Sequence, residues 1–211
     1  MDIKIIILEW GYEKMPKKNF ELLSDEKKEA IFLLAKDLFS EYSFDEISME
    51  ILTDKLSLPA ATFYRYFKDK EDLFITFLNW YGDYDELSED FIRNPKEEKG
   101  ERSLADRRLI HTIRNAPEST LLKLYFGKYK DATKSVFLKE LLKLKYGGML
   151  REDIDPDLIA YMYGTTMYNL QLYFKEMGLN SLEDVELCSE IARNFYQSFF
   201  RYGIMKPDSA E

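Results

Sequence analysis

Few residues in this chain have the types and spacing to do chemistry. A single cysteine, Cys188, excludes an internal disulfide and a cysteine-built zinc site. A single histidine, His111, removes most histidine-based catalysis and metal chemistry, including the repeated Glu-x-x-His pairs of di-iron bundles. No nucleophile–base or metal constellation remains, so neither an enzyme nor a resident cofactor or metal is expected. What stands out is a run of small, hydroxyl, aromatic and cationic side chains between residues 47 and 74. Ala60, Ala61, Thr62, Tyr64, Arg65 and Tyr66 fall on the open side of one short helix, with Phe63 and Phe67 facing inward. Small residues at its leading edge permit close approach to base edges, and the groups behind them can bond phosphates.

The elements that must position this run are helices. Ser24-Asp25-Glu26 reads as an N-cap followed by two acids suited to the positive end of a helix dipole. Ile31, Leu34, Ala35, Leu38, Phe39 and Tyr42 then follow the spacing of one buried face. A second helix starts at Ser48, with Leu52 and Leu56 one turn apart, and a third, brief one runs from Pro59 to about Phe67. The tight turn near Ser57-Leu58 between them makes a helix-turn-helix, which places its second helix in a DNA major groove. Asp69, with Asp72 three residues on, caps a long helix carrying Leu73, Phe77, Trp80, Tyr84, Leu87 and Phe91 inward.

The second half repeats this grammar at greater length. Ser103 to Asp106 is a capping-box pattern, Pro117 opens another helix, and Gly147-Gly148 closes one. Asp155-Pro156-Asp157 starts a helix that can run to Met177 and stop at Gly178. Ser181 with Asp184 starts the last, reaching Tyr202. Apart from Ile3–Trp10, which could pass for a short strand, no segment alternates as a strand does. The fold class is all-α, with about nine helices.

Composition sets the outer bounds. The 211 residues allow one large domain or two small ones, and 45% hydrophobic with 33% charged residues is an ordinary globular balance. Ile5–Leu8 is far too short to span a bilayer, and no small-residue cleavage site follows it. The net charge is −9, and the aromatic excess is 15 Phe and 15 Tyr. A cytoplasmic location is expected. Residues 1 to 80 hold 11 Lys/Arg against 16 Asp/Glu, a net charge of −5. Yet Lys14, Lys17 and Lys18 make a basic arm, and Arg65, Lys68 and Lys70 outweigh Asp69 around the reading helix. Non-specific DNA binding should be weak and fall steeply with salt.

The run Thr62-Phe63-Tyr64-Arg65-Tyr66-Phe67-x-x-Lys70-Glu71-x-Leu73 resembles the signature of the tetracycline-repressor (TetR) family of bacterial transcription regulators. So does Ala35-x-x-Leu38-Phe39-x-Glu41-Tyr42-x-Phe44. The resemblance spans about Phe20 to Phe74. It implies a basic arm over residues 1–20, a helix-turn-helix domain over 21–70, and an effector-binding and dimerisation domain over 71–211. It implies contacts to the DNA backbone from Ser48, Thr62, Tyr64 and Lys70, and to bases or grooves from Glu50, Ala60, Ala61 and Tyr66. Lys17 and Lys18 of the arm join them, and Arg65 can reach either phosphate or guanine. Ser43 and Ser57 stand where the family commonly has glycine, so both turns must tolerate a side chain. Pro59 replaces the usual hydroxyl residue at the start of the reading helix. Met15-Pro16-Lys17-Lys18 resembles the family's usual start, which makes residues 1 to 14 a mis-assigned start or a loosely attached extension.

By the same resemblance the effector half holds a small-molecule pocket, and its tyrosines suit apolar walls with hydroxyl handles. Trp80, Tyr81, Tyr84, Tyr125 and Tyr168 are the expected lining, for an aromatic or lipophilic effector. A homodimer is expected through Tyr161, Gly164, Thr165 and Tyr168 on one helix and Leu187, Ile191, Phe195 and Phe199 on the next. The reading is a ligand-responsive repressor acting as a homodimer on a near-palindromic operator, with no membrane partner. The alternative is a partner-binding or ligand-sensing protein of the same fold that has lost DNA binding.

Overall fold

The computed structural model describes residues 16–84, 102–126, 137–138, 141–196, 198 and 202–204. Among these, every extended element is a helix. In chain order they are α1 (Lys18–Glu21), α2 (Asp25–Glu41), α3 (Met49–Lys55), α4 (Ala60–Tyr66), α5 (Lys70–Tyr84), α6 (Leu104–Arg114), α7 (Glu118–Tyr125), α8 (Pro156–Glu176), α9 (Val185–Phe195) and α10 (Tyr202–Ile204). Residues 141–146 are helical as well. The segment Ile3–Trp10, with Leu87 and Phe91, lies outside the described residues.

The head is built on phenylalanine. Phe39, Phe63, Phe67, Phe74 and Phe77 are wholly buried, with Phe20, Phe32 and Phe44 nearly so. α2 directs Ile31, Phe32, Ala35, Leu38 and Phe39 into this core. Leu34, expected on the same face, is exposed, and Phe32 takes the inward place. The cause is the α2 rotation that lets the Phe32 ring stack on Trp80, 5.0 Å between centroids. Phe20 of α1 meets Phe32, Tyr66 and Phe67, so the end of the arm is tied into the head.

Helix ends follow the expected chemistry. The Ser48 hydroxyl accepts the Ile51 N–H at 3.2 Å, and Ser103 accepts that of Asp106 at 3.1 Å. Asp155 accepts the Asp157 N–H at 2.9 Å, with Pro156 at the first helical position of α8. Ser24 occupies the N-cap of α2 in extended conformation, but its hydroxyl makes no cap bond. α9 stops as an α-helix at Phe195, short of the expected Tyr202.

α6 lies across α2 and joins the two halves. Its Leu109 and Thr112 are buried, Thr112 Oγ1 donates to the Tyr42 carbonyl at 3.3 Å, and Asp106 pairs with Lys36 at 3.3 Å. The core of the head continues through Leu109, Ala116 and Leu121 to Tyr168 of α8. A second cluster holds Phe137, Leu141, Leu144, Leu150, Ala160 and Ile204. The core thus runs past residue 70 through Leu73, Phe74 and Phe77 into the second half.

Candidate nucleic-acid interface and sensor

The interface rests on the turn between α3 and α4. The Leu58 N–H reaches the Thr53 carbonyl and the Ser57 N–H that of Asp54, both at 3.0 Å. This bond pair is the Schellman ending of a helix, whose middle residue takes the left-handed conformation. Ser57 is that residue, with φ of 52°, and it is the one non-glycine at positive φ among the described residues. The equivalent positions after residues 141–146 and after α8 are Gly148 and Gly178. Ser43, the other expected glycine site, avoids positive φ. Its N–H and hydroxyl both donate to Glu46, at 2.8 and 2.7 Å, holding that carboxyl below its usual range.

α4 then presents its open face. Ala60, Ala61, Tyr64 and Arg65 are exposed, as are Glu50 and Lys18. Thr62 and Tyr66 are half-buried, and Tyr66 packs edge-on against Phe20 at 6.0 Å. Pro59 supplies no side-chain cap, but its carbonyl accepts the N–H groups of Thr62 and Phe63. Lys17 closes the far end: its backbone N–H donates to the Tyr66 carbonyl at 2.9 Å and its ammonium to that of Tyr64 at 2.8 Å.

Two of the expected backbone-contacting residues have structural duties. Ser48 is the N-cap of α3. The Lys70 ammonium donates to the carbonyls of Phe44 at 2.7 Å and Ile47 at 3.1 Å, and lies 4.7 Å from the Phe44 ring centroid. Only one of its three donors remains for phosphate, so Lys70 is first a clamp on the α2–α3 connection. Acids near the surface are also matched. Glu41 sits 2.5 Å from Lys55, whose hydrogen bond lowers its pKa, with Arg108 adding to the effect.

The sensor half engages the head at the start of α5. Glu71 Oε1 accepts the Thr120 hydroxyl at 2.7 Å, and Glu71 pairs with Lys123, both from α7. Burial pushes the Glu71 carboxyl up, but the bonds from Lys123 and Thr120 outweigh it and hold it below the usual range. On the next layer the Tyr168 phenol donates to Glu118 at 3.1 Å. Tyr125 and Phe126 lie against the Tyr168 ring, at 6.3 and 5.0 Å.

Of the five expected pocket residues, Tyr125 and Tyr168 are together. Trp80 stacks on Phe32 and Tyr81 on Phe77 at 5.5 Å, so both help fill the joint with the head. The Tyr84 side chain lies outside the described residues. Tyr163 and Tyr196 complete a phenol cluster that the tyrosine spacing alone did not single out. Their rings are 4.9 Å apart, and Tyr163 stacks on Phe137 at 3.9 Å. Burial pushes the Tyr125 phenol up to about 12. Tyr163 and Tyr196 are raised by burial too, and further by the charges that their neighbours would carry. The Tyr163 and Tyr196 rings of α8 and the end of α9 thus lie together, and Tyr125 of α7 is near enough for its charge to bear on both.

The expected dimer faces separate cleanly from the core in all but one place. Tyr161 and Leu187 are about half exposed, and Gly164, Thr165, Ile191 and Phe195 are partly so. Tyr168 is buried and bonded to Glu118, so it belongs to the core, because the Glu118 carboxylate draws its phenol inward. Phe199 lies outside the described residues. On α9 the inward residues are Val185 and Cys188.

Residues 31–76, which carry the turn, the reading helix and the Lys70 clamp, match the family model described as bacterial regulatory proteins, tetR family. Over those residues the chain has the head of the tetR family. A tetR head is that of a DNA-binding transcription regulator. Among solved structures, a TetR family transcriptional regulator from Chloroflexus aurantiacus J-10-FL is 18% identical, covering 92% of this chain and 100% of that one, with a TM-score of 0.36. A structure concerning control of antibiotic production by bacterial hormones is 14% identical, covering 87% of this chain and 100% of that one, with a TM-score of 0.45. With TM-scores below 0.5, neither bears on the arrangement of the sensor half. No curated protein matches the chain. Among the described residues, no helix is long and apolar enough to cross a membrane.

Proposed function

We propose that this chain is a ligand-responsive repressor that acts as a homodimer on a near-palindromic DNA operator. The observation that carries the ligand response is the tether of Glu71 to Thr120 and Lys123. Glu71 lies at the first turn of α5, five residues beyond the end of the reading helix, and its partners belong to the helix that bears Tyr125. A shift of α7 is therefore felt at the root of α4. The effector is an aromatic or lipophilic molecule taken up among Tyr125, Tyr163 and Tyr196, whose neutral phenols offer hydroxyl handles in apolar surroundings. No cofactor is involved, and the setting is the cytoplasm.

The dimer reading is supported by the outward stripe of α8, where Leu158, Tyr161, Met162, Tyr173 and Met177 are 45–59% exposed. Leu187 of α9, 47% exposed, adds to it. Isologous pairing of such faces sets two reading helices about one DNA turn, roughly 34–36 Å, apart. On that spacing Ala60, Ala61 and Tyr64 face base edges and the groove, while Arg65 and Lys18 reach the backbone.

Titration of the protein onto the DNA upstream of its own gene, over a range of salt, tests this reading. Binding that saturates at one dimer per site and weakens steeply with salt is expected. Salt-independent or absent binding would replace the reading with a partner-binding sensor of the same fold, to which the acidic head is better suited.

A further inference from the structure

The face of α6 turned away from the head meets the connection between α8 and α9, and it is basic. Arg114, in the last turn of α6, is 8% exposed. Its Nη2 donates to the Leu179 carbonyl at 2.6 Å and lies 2.8 Å from Cys188 Sγ. Its guanidinium carbon sits 5.2 Å from the Phe174 ring centroid. The Nε and Nη1 groups of the same guanidinium are buried and have no hydrogen-bond partner. Seven residues earlier, about 10 Å along the same helix face, the Nε of Arg107 is also buried and unmatched. His111 lies between them, with its Nε2 3.1 Å from the Asn180 carbonyl oxygen.

Unmatched N–H groups on a buried cation are costly, and guanidinium N–H groups seek anions above all. The neighbouring acids are already committed. Asp184 accepts the Ser181 N–H at 2.9 Å and its hydroxyl at 2.7 Å, and Glu186 pairs with Arg102 at 2.8 Å. Cys188 adds no negative charge, since burial pushes its thiol up against the lesser pull of Arg114. Arg107 and Arg114 thus bring two positive charges to a place where the carboxylates of Asp184 and Glu183 are both turned to Ser181.

We propose that the junction of α6 with the α8–α9 connection binds a small monocarboxylic acid, its carboxylate held by the unmatched N–H groups of Arg114. The Phe174 ring, beside the guanidinium, supplies an apolar wall for the body of the acid. This site is separate from the phenol cluster and needs no DNA to be occupied.

The test titrates the full chain with sodium benzoate and, in parallel, with benzamide, its neutral isostere. The Arg114 Nε–H resonance is followed by nitrogen-15 NMR, and affinity is measured by calorimetry. Benzoate should shift that resonance and benzamide should not. Arg114→Lys, which keeps the charge but loses the fork, should weaken benzoate binding by at least about tenfold. If Arg114→Lys does not fold, the wild-type resonance decides alone. An Arg114 resonance unmoved by benzoate, or equal binding of benzoate and benzamide, would overturn the proposal and leave Arg114 a brace for the α8–α9 connection. Benzoate bound elsewhere, as at the phenols, leaves that resonance unmoved and overturns the proposal too, whether or not the protein binds DNA.

Discussion

The head and the sensor half are both helical, yet their interiors are made of different material. The head is closed by phenylalanines: Phe39, Phe63, Phe67, Phe74 and Phe77 are all fully buried, and their rings meet edge-on or tilted. The polar groups that the head buries, Ser40, Asp72 and Thr76, are matched within their own helices or by the adjoining backbone. The other half buries phenols, Tyr163 against Tyr196, and the Arg114 guanidinium beside Cys188 with two of its N–H groups unmatched. A close-packed aromatic core whose polar groups are all matched has few soft rearrangements. A core with phenols and a half-satisfied guanidinium leaves groups for which a ligand can compete. Under the proposed function, this contrast is what a reading head steered by an adaptable half requires. Glu71 and α6 are the places where the two interiors meet.

The strongest break of this contrast is Phe39→Ala. The ring lies between Phe74 and Phe77, so its loss should destabilise the chain by about 3–5 kcal/mol, read by urea unfolding. Tyr163→Phe, at the heart of the other half, should cost far less, because it removes one hydroxyl and keeps the stack on Phe137. Equal losses at the two sites would erase the distinction between rigid and adaptable cores.

Lys70→Met comes next. It should cost about 1–3 kcal/mol of stability, because the carbonyls of Phe44 and Ile47 lose a charged donor in a half-buried place. If the third donor of Lys70 also serves DNA, the salt slope of binding should fall by about 1. A variant of unchanged stability with weakened DNA binding would make Lys70 a phosphate contact and no clamp.

Ser57→Gly should act in the opposite direction. A side chain in the left-handed region costs about 1 kcal/mol, and glycine removes that cost without touching a core contact. The measurement is again the unfolding midpoint. No gain would show that the serine hydroxyl offsets the strain of its backbone.

The smallest effect is that of acid on the joint. The folded-state pKa of Glu71 is lowered, so its stabilising contribution is fully present above the ordinary glutamate value of 4.5. It is lost as pH falls through the lower folded value, when the carboxylate takes up a proton and releases Lys123. Glu71→Gln should therefore flatten the acid limb of a stability-against-pH curve and leave its neutral region nearly unshifted in shape. An acid limb identical to wild type would show that Glu71 does not join the halves electrostatically.

Many helix ends and faces were legible from residue order alone, because their determinants are local. Ser48 three residues before Ile51, Asp155 before Pro156, and glycine at 148 and 178 are decided within one helical turn, by cap hydrogen bonds and backbone φ. The alternation of Phe63 and Phe67 with Tyr64 and Arg65 likewise reads directly as an inner and an outer face. Leu34 and Phe32 show where such reading ends: both fit an apolar stripe, and only the position of Trp80 on α5 decides which turns inward.

Long-range placement was settled by the tertiary structure. Lys70 looks like a surface cation until its ammonium is seen against carbonyls 26 and 23 residues away. Tyr168 fits both a pocket and a dimer face until Glu118 claims its phenol. Trp80 and Tyr81 leave the expected pocket lining because the aromatic core of the head lies within reach of their helix. Tyr163, Tyr196 and Arg114 gain meaning only from neighbours distant in the chain. Sequence spacing sets which way a side chain leaves its own helix; which group it meets depends on how the helices pack, and burial energies that span the whole core decide that.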